Sequence, residues 1–166
     1  MTVTRTTESA AATGGGSEAL PEWPTRTIAV LATLDDGPYA IPVSAPLRGG
    51  DRRILLSLHR TRGSLSRLRE HPQVALAVLT GGNIAFTARG RARIVQEPMA
   101  AAPDYAAVAI DVEQIDDHRQ AAFLVEAGVD RRWLDEGERD ALGERVRALT
   151  ELASSAEARE GKGRRH

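Results

Sequence analysis

Apolar residues alternate with other residues along several short stretches between positions 28 and 113, which is the pattern of β-strands with one buried face. Short glycine-containing connections, such as Asp35-Asp36-Gly37, separate these stretches and favour tight turns. Six strands joined in this way indicate an antiparallel barrel or sandwich. The predicted strands cover residues 28–34, 39–43, 53–58, 74–78, 84–95 and 108–113.

Two prolines lie in the second of these strands and just after it. Pro42 and Pro46 have no backbone N–H to donate to a neighbouring strand, so this segment belongs at an edge or at an interruption of the sheet. We therefore expect the sheet to be split at this place.

Two segments have the spacing of helices instead. Between the third and fourth strands, Leu65 and Leu68 share one helical face, Ser64 is the expected N-cap and Pro72 ends the helix. Near the C-terminus, Asp135 and Glu138 resemble a capping box. An amphipathic helix is predicted over residues 136–153. Its apolar stripe has to cover either the barrel mouth or a partner subunit; it consists of Leu142, Val146, Leu149 and Ala153.

The ends of the chain have a different composition from the middle. Residues 1–20 are rich in Thr, Ser, Ala and Gly and are predicted to be a disordered N-terminal arm, and the polar residues 154–166 a flexible tail. One domain is therefore expected over residues 21–153.

Composition excludes several classes of function. The 166 residues have a formal net charge of −1, which argues against a general nucleic-acid binder, and no cysteine, which excludes disulfides and thiolate chemistry. No apolar run reaches the roughly 18 residues of a membrane span, and no signal peptide is visible, so a cytoplasmic protein is expected. The four histidines share no metal-ligand spacing, so no metal site is predicted.

Positive charge is concentrated in one stretch, LHRTRGSLSRLREHP, over residues 58–72. It contains four arginines and two histidines but only one acid, Glu70. Arginine side chains and the free N–H groups at a helix start together suit a phosphate. Arginines on a short surface helix are also commonly solvated, and the residues alone leave both interpretations open.

Several segments resemble a known family in their order and spacing. They are the first hairpin IAVLATLDDGPYAIPVS, the strand ILLSL, the Arg/Ser-rich loop into a short helix, LREHPQVALAV, and the strand FTARGRARIV. Residues 28–115 thereby resemble the FMN-binding split β-barrel superfamily of pyridoxamine 5′-phosphate oxidase and the flavin/deazaflavin-dependent oxidoreductases. The resemblance implies a six-stranded antiparallel split β-barrel with a short helix after strand 3 and a C-terminal amphipathic helix.

The resemblance also implies a function. It implies a homodimer with a composite FMN site and an oxidoreductase that acts on a small organic substrate. The flavin ring would pack on Pro42, Val43 and Ser44, His59 could approach its edge, and its phosphate would contact Ser57, Arg60, Arg62, Ser64 and Arg67. The alternatives are a reductase that uses the deazaflavin F420, a non-enzymatic flavin-binding or sensor protein, and a barrel without cofactor. Whether Trp133 and the C-terminal helix close the partner's site stays open.

Overall fold

The structure, a computed structural model, describes residues 16–163. It contains seven strands and two helices, against six strands expected from the sequence. The strands are β1 Ile28–Leu34, β2 Pro38–Ser44, β3 Leu47–Arg48, β4 Arg53–His59, β5 Gln73–Thr80, β6 Ile84–Gln96 and β7 Tyr105–Asp117, and the helices are α1 Ser64–Glu70 and α2 Glu136–Gly163.

All seven strands form one antiparallel sheet in the order β2-β1-β5-β6-β7-β4-β3. The extra strand is β3, where Leu47 pairs with Leu55 and Arg48 with Ile54. Its two residues were expected to belong to a turn, because two residues are too few to show an alternating pattern. β2 lies at one edge of the sheet, as Pro42 predicted, and β3 lies at the other.

The two edge strands follow each other directly in the chain. Only Ala45 and Pro46 separate β2 from β3, and Ala45 has a φ of 51°. This left-handed conformation is unfavourable for a residue with a Cβ atom, and the N–H of Ala45 donates to the carbonyl of Thr27 at 2.9 Å. The sheet therefore curls until its edges are joined by a two-residue connection, as expected for a split barrel.

The inner face of the curled sheet forms the main core. Leu31, Leu56, Leu76 and Ile110 are among its fully buried side chains. Helix α1 covers this core with Leu65 and Leu68, as predicted.

The start of α1 differs from the expectation. Gly63 occupies the N-cap position, and no side chain caps the helix. Ser64 is the first helical residue and is buried, so its hydroxyl does not have the capping role predicted for it.

Helix α2 covers the outer face of β4 and β7. Leu149, 1% exposed, packs in a second core cluster with Leu55, Met99, Ala107 and Ala109. Leu149 and Ala153 of the apolar stripe therefore cover this chain's own sheet, whereas Leu142 and Val146 line a cavity beside residues 24–27. The helix continues to Gly163, beyond the predicted end at residue 153, and Glu160 forms an ion pair with Arg53 of the sheet at 2.9 Å.

The segment before β1 contacts the sheet closely. Leu20 is 3% exposed and lies in the main core, although it was assigned to the disordered arm. Trp23 donates from Nε1 to the carbonyl of Pro46 at 2.8 Å and packs on Phe86. The ordered domain therefore begins before residue 21, while the arm prediction for residues 1–15 lies outside the described residues.

Residues 118–135 connect β7 to α2 without forming a helix or strand, and we call them the strap. The strap crosses the β5–β6 turn, where Asn83 N–H donates to the carbonyl of Val125 at 3.0 Å and Val125 N–H donates to Oδ1 of Asn83 at 3.1 Å. At Gly128 an added Cβ would lie 2.7 Å from the carbonyl oxygen of Leu79, so only glycine permits this close approach. The strap is thus held against the sheet by backbone contacts.

No helix within residues 16–163 is long and apolar enough to cross a membrane.

Candidate functional site

The predicted phosphate residues follow β4, but the structure directs their side chains in different directions. Arg60 turns towards the loop between β6 and β7. Its Nη1 donates to the carbonyl of Pro103 at 3.1 Å, and its Nε lies 3.6 Å from Oε1 of Glu97. Glu97 also accepts a hydrogen bond from Arg69, which lowers the pKa of this carboxyl group together with the weaker contact from Arg60. Arg60 therefore already has an acidic partner.

Arg67 and Ser64 lie together at the end of the β1–β2 hairpin. Arg67 donates from Nε to Oγ1 of Thr33 at 3.1 Å and from Nη2 to Oγ of Ser64 at 3.5 Å. Its guanidinium lies 4.0 Å from the ring centroid of Tyr39, which is a cation–π contact. These partners are all uncharged, so the positive charge of Arg67 is not neutralised by them.

Arg62 lies in the loop before α1 and is exposed. Its backbone N–H donates to the carbonyl of His59 at 3.3 Å. Within residues 16–163 its guanidinium makes neither a hydrogen bond nor an ion pair. The loop before α1 therefore carries an exposed positive charge, that of the Arg62 guanidinium, next to the helix with Ser64 and Arg67.

Ser57 and His59 lie on the face of β4 that also carries Leu55, which α2 covers. The Nδ1 atom of His59 accepts from Thr61 N–H at 3.3 Å, and the hydroxyl of Thr61 is 2.9 Å away. Because a backbone N–H can only donate, Nδ1 is the acceptor and the proton of the neutral ring is on Nε2. The rings of His59 and Tyr105 make an edge-to-face contact, with the centroids 5.1 Å apart.

Arg145 of α2 lies over the ring of Tyr105. It is only 8% exposed, and its guanidinium carbon lies 3.9 Å from the ring centroid of Tyr105. The sequence did not single out this residue, because an arginine next to the apolar stripe ordinarily extends into solvent. Its neighbour in the sequence, Val146, was the residue assigned to the buried face.

The predicted ring-binding residues of β2 divide between two faces of the strand. Val43 is in the main core, whereas Pro42 and Ser44 are exposed. Arg131 of the strap donates to Oγ of Ser44 at 2.8 Å and to the carbonyl of Arg26 at 3.1 Å. The strap is therefore anchored on the strand predicted to carry the flavin ring.

A cavity of about 560 Å³ lies between the strap, the first turns of α2 and residues 24–27. Its lining includes apolar side chains from α2, the indole of Trp133 and the guanidinium of Arg131, which lies 5.0 Å from the Trp133 ring centroid. This volume is in the range that small organic ligands occupy. Trp133 lines a cavity of its own chain, and Leu142 and Val146 complete its apolar wall.

Several other charged residues form surface ion pairs. Arg89 and Arg93 on β6 bind Asp116 and Asp111 of β7, at 2.8 and 2.7 Å. A hydrogen bond from Arg119 lowers the pKa of Asp117 to about 2. No cluster of three or more potential metal ligands occurs within the described range 16–163.

Comparison with known proteins identifies the family. The model of the family described as pyridoxamine 5′-phosphate oxidase matches residues 17–123, which is more than half of the chain. The chain belongs to this family. The match covers the whole sheet and α1 and ends within the strap, so α2 and Arg145 lie outside it. No curated protein matches the chain.

Three solved structures illustrate what the chain is similar to. A candidate pyridoxamine 5′-phosphate oxidase from Lactobacillus delbrueckii is 17% identical and has a TM-score of 0.51, with 60% of this chain and 94% of that chain covered. One from Listeria innocua is 14% identical, with a TM-score of 0.49 over 57% and 90% of the two chains. A heme-binding protein from Mycobacterium smegmatis is 19% identical, with a TM-score of 0.45 over 55% and 48%. The family match and the curled antiparallel sheet agree with the split-barrel type expected from the sequence, with seven strands in place of six.

Proposed function

We propose that this protein binds FMN and acts as an oxidoreductase on a small organic substrate. The observation that carries the proposal is the family match over residues 17–123, which includes all the residues predicted to contact the cofactor. When bound, the flavin supplies the redox chemistry, and the protein supplies binding, orientation and a dry pocket. That residues 16–163 contain no evident acid–base pair is therefore compatible with an enzyme.

The charges around the loop after β4 suit a phosphate group. Arg67 has only uncharged partners, and Arg62 has no side-chain partner within the described part of the chain. A phosphate monoester carries about −1.5 to −2 charges at pH 7 and accepts several hydrogen bonds, which two arginines can supply. Arg60 fits less well because it already contacts Glu97, which it shares with Arg69.

The exposed side chains of β2 and the neighbouring cavity suit the rest of the ligand. Pro42 and Ser44 present an exposed strand face for the flavin ring, and Arg131 links Ser44 to the cavity beside the strap. We assign the small organic substrate to this cavity, where Trp133 and Leu142 provide apolar surface.

The proposal is tested by titrating the purified protein with FMN and with riboflavin, which lacks the phosphate. Replacing Arg62 or Arg67 with alanine should weaken FMN binding about 10- to 150-fold, because a charge-assisted hydrogen bond is worth roughly 1.5–3 kcal/mol. Riboflavin binding should be unchanged. Arg91→Ala is the control, since this exposed arginine lies on β6, opposite Gln73 and Asp111 in the strand register, and is not part of the loop after β4.

Three results would contradict this assignment. Equal small losses in the Arg62, Arg67 and Arg91 variants would make the basic loop a solvated surface. The single absorption band of a deazaflavin would replace FMN with F420. Binding of FMN without turnover of any electron donor would leave a flavin-binding or sensor protein.

We also propose that the cofactor site is completed by a second copy of the chain. The outer face of β1 and β5 carries exposed apolar side chains, with Val30, Leu34 and Leu79 between 41% and 56% exposed. Most soluble oligomers are two-fold dimers. Light scattering should show a dimer, and Val30→Asp should give a monomer with weakened FMN binding. A wild-type monomer at high concentration would exclude the composite site.

A further inference from the structure

Arg131 of the strap lines the cavity beside residues 24–27 with a positive charge that no neighbour neutralises. Its Nη1 donates to Oγ of Ser44, its Nη2 donates to the carbonyl of Arg26, and its guanidinium lies 5.0 Å from the Trp133 ring centroid. All three partners are uncharged, and within residues 16–163 the guanidinium makes no ion pair. The two hydrogen bonds use two of the five N–H donors of an arginine. Arg131 is therefore held in place with its charge and further donors available to a ligand.

The other charged residues of the lining limit the charge of that ligand. Three arginines, Arg26, Arg131 and Arg139, are opposed by two acids, Glu126 and Asp130, which is an excess of one positive charge. A carboxylate carries one negative charge at neutral pH and matches this excess. A phosphate monoester carries about −1.5 to −2 charges, and the two acids would repel the second charge. The lining therefore favours a carboxylate over a phosphate.

The apolar part of the lining has room that packing does not fill. Leu142 and Val146 of α2 and the indole of Trp133 contribute to it. Gly143 of α2 lines the same cavity, and a Cβ added there would meet no atom within 4 Å. Glycine destabilises the interior of a helix relative to alanine, and neither a close approach nor a left-handed backbone requires it at this position. Gly143 therefore keeps space open beside the apolar wall.

We propose that this cavity binds a monocarboxylic acid with a ring-sized apolar body. Arg131 donates to the carboxylate, and Trp133, Leu142 and Val146 contact the apolar body within a volume of about 560 Å³. The inference rests on the proposed function, because it gives the chemical class of the substrate assigned to this cavity. All four residues follow residue 123, where the family match ends.

The test uses naphthoate as the probe, with the full chain free of flavin and at constant ionic strength. Heteronuclear NMR resolves the indole N–H signals of the two tryptophans, and Trp133→Phe identifies the signal from the cavity. The Trp133 signal should shift in a saturable manner as naphthoate is added. The Trp23 signal should shift much less, because its N–H donates to the carbonyl of Pro46 and its ring packs on Phe86. No saturable shift at Trp133 would overturn the proposal.

Two analogues of the same shape test the charge of the ligand. The neutral naphthamide should bind about 10- to 150-fold more weakly than naphthoate, because it cannot accept a charge-assisted hydrogen bond from Arg131. Naphthyl phosphate should also bind more weakly than naphthoate, because the lining offers no match for its second charge. Equal affinity for the acid and the amide would refute the role of Arg131. Equal or tighter binding of the phosphate would refute the carboxylate class.

Two adjacent arginines provide a variant and its control. Arg131→Gln should weaken naphthoate binding about 10- to 150-fold and leave naphthamide binding unchanged, whereas a purely structural role would weaken both. Arg132→Gln is the control, since this neighbour is exposed and does not line the cavity. Protection of the Asn83 N–H from hydrogen exchange reports whether the strap stays in place, because this group donates to the carbonyl of Val125. Wild-type affinity for naphthoate in Arg131→Gln would refute the site.

If the strap detaches in Arg131→Gln, a variant of helix α2 decides instead. Gly143→Leu fills the open space from the helix without changing the strap, and should weaken binding of naphthoate and naphthamide alike, by about tenfold or more. Gly161→Leu is the control on the same helix, since a Cβ there also meets no atom within 4 Å and the residue does not line the cavity. Wild-type affinity in Gly143→Leu would place the ligand outside the cavity and overturn the proposal.

The flavin titration separates this inference from the proposed function. Naphthoate binding that depends on Arg131, in a protein that binds no FMN, would leave the carboxylate site standing and reject the flavoprotein. FMN binding in a protein that binds no naphthoate would do the reverse.

Discussion

Gly90 is the residue whose replacement tests the sheet most directly. It lies in the interior of β6, where the pairing with β7 shifts register between Arg89 and Gly90. A Cβ added at Gly90 would lie 2.0 Å from the carbonyl oxygen of Asp111 and 3.0 Å from Cα of Val112. Both neighbours are backbone atoms of β7, so no side-chain rotation can relieve the overlap.

The expected loss follows from the displacement. Non-bonded atoms rarely approach within 3.0 Å, so Gly90→Ala requires β6 and β7 to separate by about 1 Å at this point. Overpacking of this kind costs about 1–3 kcal/mol, and two weakened hydrogen bonds between the strands cost about 0.5–1.5 kcal/mol each. A loss of about 2–6 kcal/mol is a large part of the 5–15 kcal/mol that stabilises a typical domain.

Urea unfolding of Gly90→Ala and Gly37→Ala measures this effect. Gly37 lies in the exposed β1–β2 turn, and a Cβ there would meet no atom within 4 Å, so its replacement should change the free energy of unfolding by less than about 1 kcal/mol. Complete failure of Gly90→Ala to fold agrees with the upper end of the range. A Gly90→Ala protein within about 1 kcal/mol of wild type would refute the bulge geometry.

Two further predictions concern acid stability and helix docking. Burial by itself raises the pKa of Asp111, but hydrogen bonds from Arg93 and Arg53 outweigh it and leave the pKa below its usual 3.8. Ionised Asp111 therefore stabilises the fold above pH 3.8, and this stabilisation is lost as the pH falls below that value. Between about pH 7 and about pH 3, the free energy of unfolding should fall more in the wild type than in Asp111→Asn. Equal decreases in the two proteins would contradict the prediction. Leu149→Ala should cost about 2–5 kcal/mol, whereas Leu134→Ala, 90% exposed, should cost less than about 0.5 kcal/mol. Similar values for the two leucines in thermal or urea unfolding would show that α2 is not docked.

Much of the sheet could be predicted from the sequence because each long strand has its own alternating pattern. The exception is β3, whose residues Leu47 and Arg48 show no period, and which forms only because β4 offers an unpaired edge. The length of α2 was underestimated because its last turns lack apolar residues. Their contact with the sheet, through Arg53 and Glu160, joins residues far apart in the sequence.

The arrangement of the site could not be predicted in the same way. The basic stretch was evident from composition, but the directions of Arg60 and Arg67 depend on Glu97, Thr33 and Tyr39, which come from other elements. The burial of Arg145 depends on a single aromatic ring on β7, and no local pattern marks that position. Sequence periodicity reports which face of an element is apolar, whereas these contacts depend on the packing of different elements.

The connection between the two edge strands has a mechanical consequence. At Ala45 and Pro46 the seam of the sheet is joined by the chain itself, so β2 and β3 cannot separate at that end. The opposite end of β2 leads into the exposed turn at Asp35–Gly37, where the contact between Tyr39 and Arg67 crosses from the hairpin to α1. The β1–β2 hairpin is therefore fixed at both ends, by the chain itself at Ala45 and by the cation–π contact of Tyr39 with Arg67 near the turn, and a ligand that competes for Arg67 would release only the turn end.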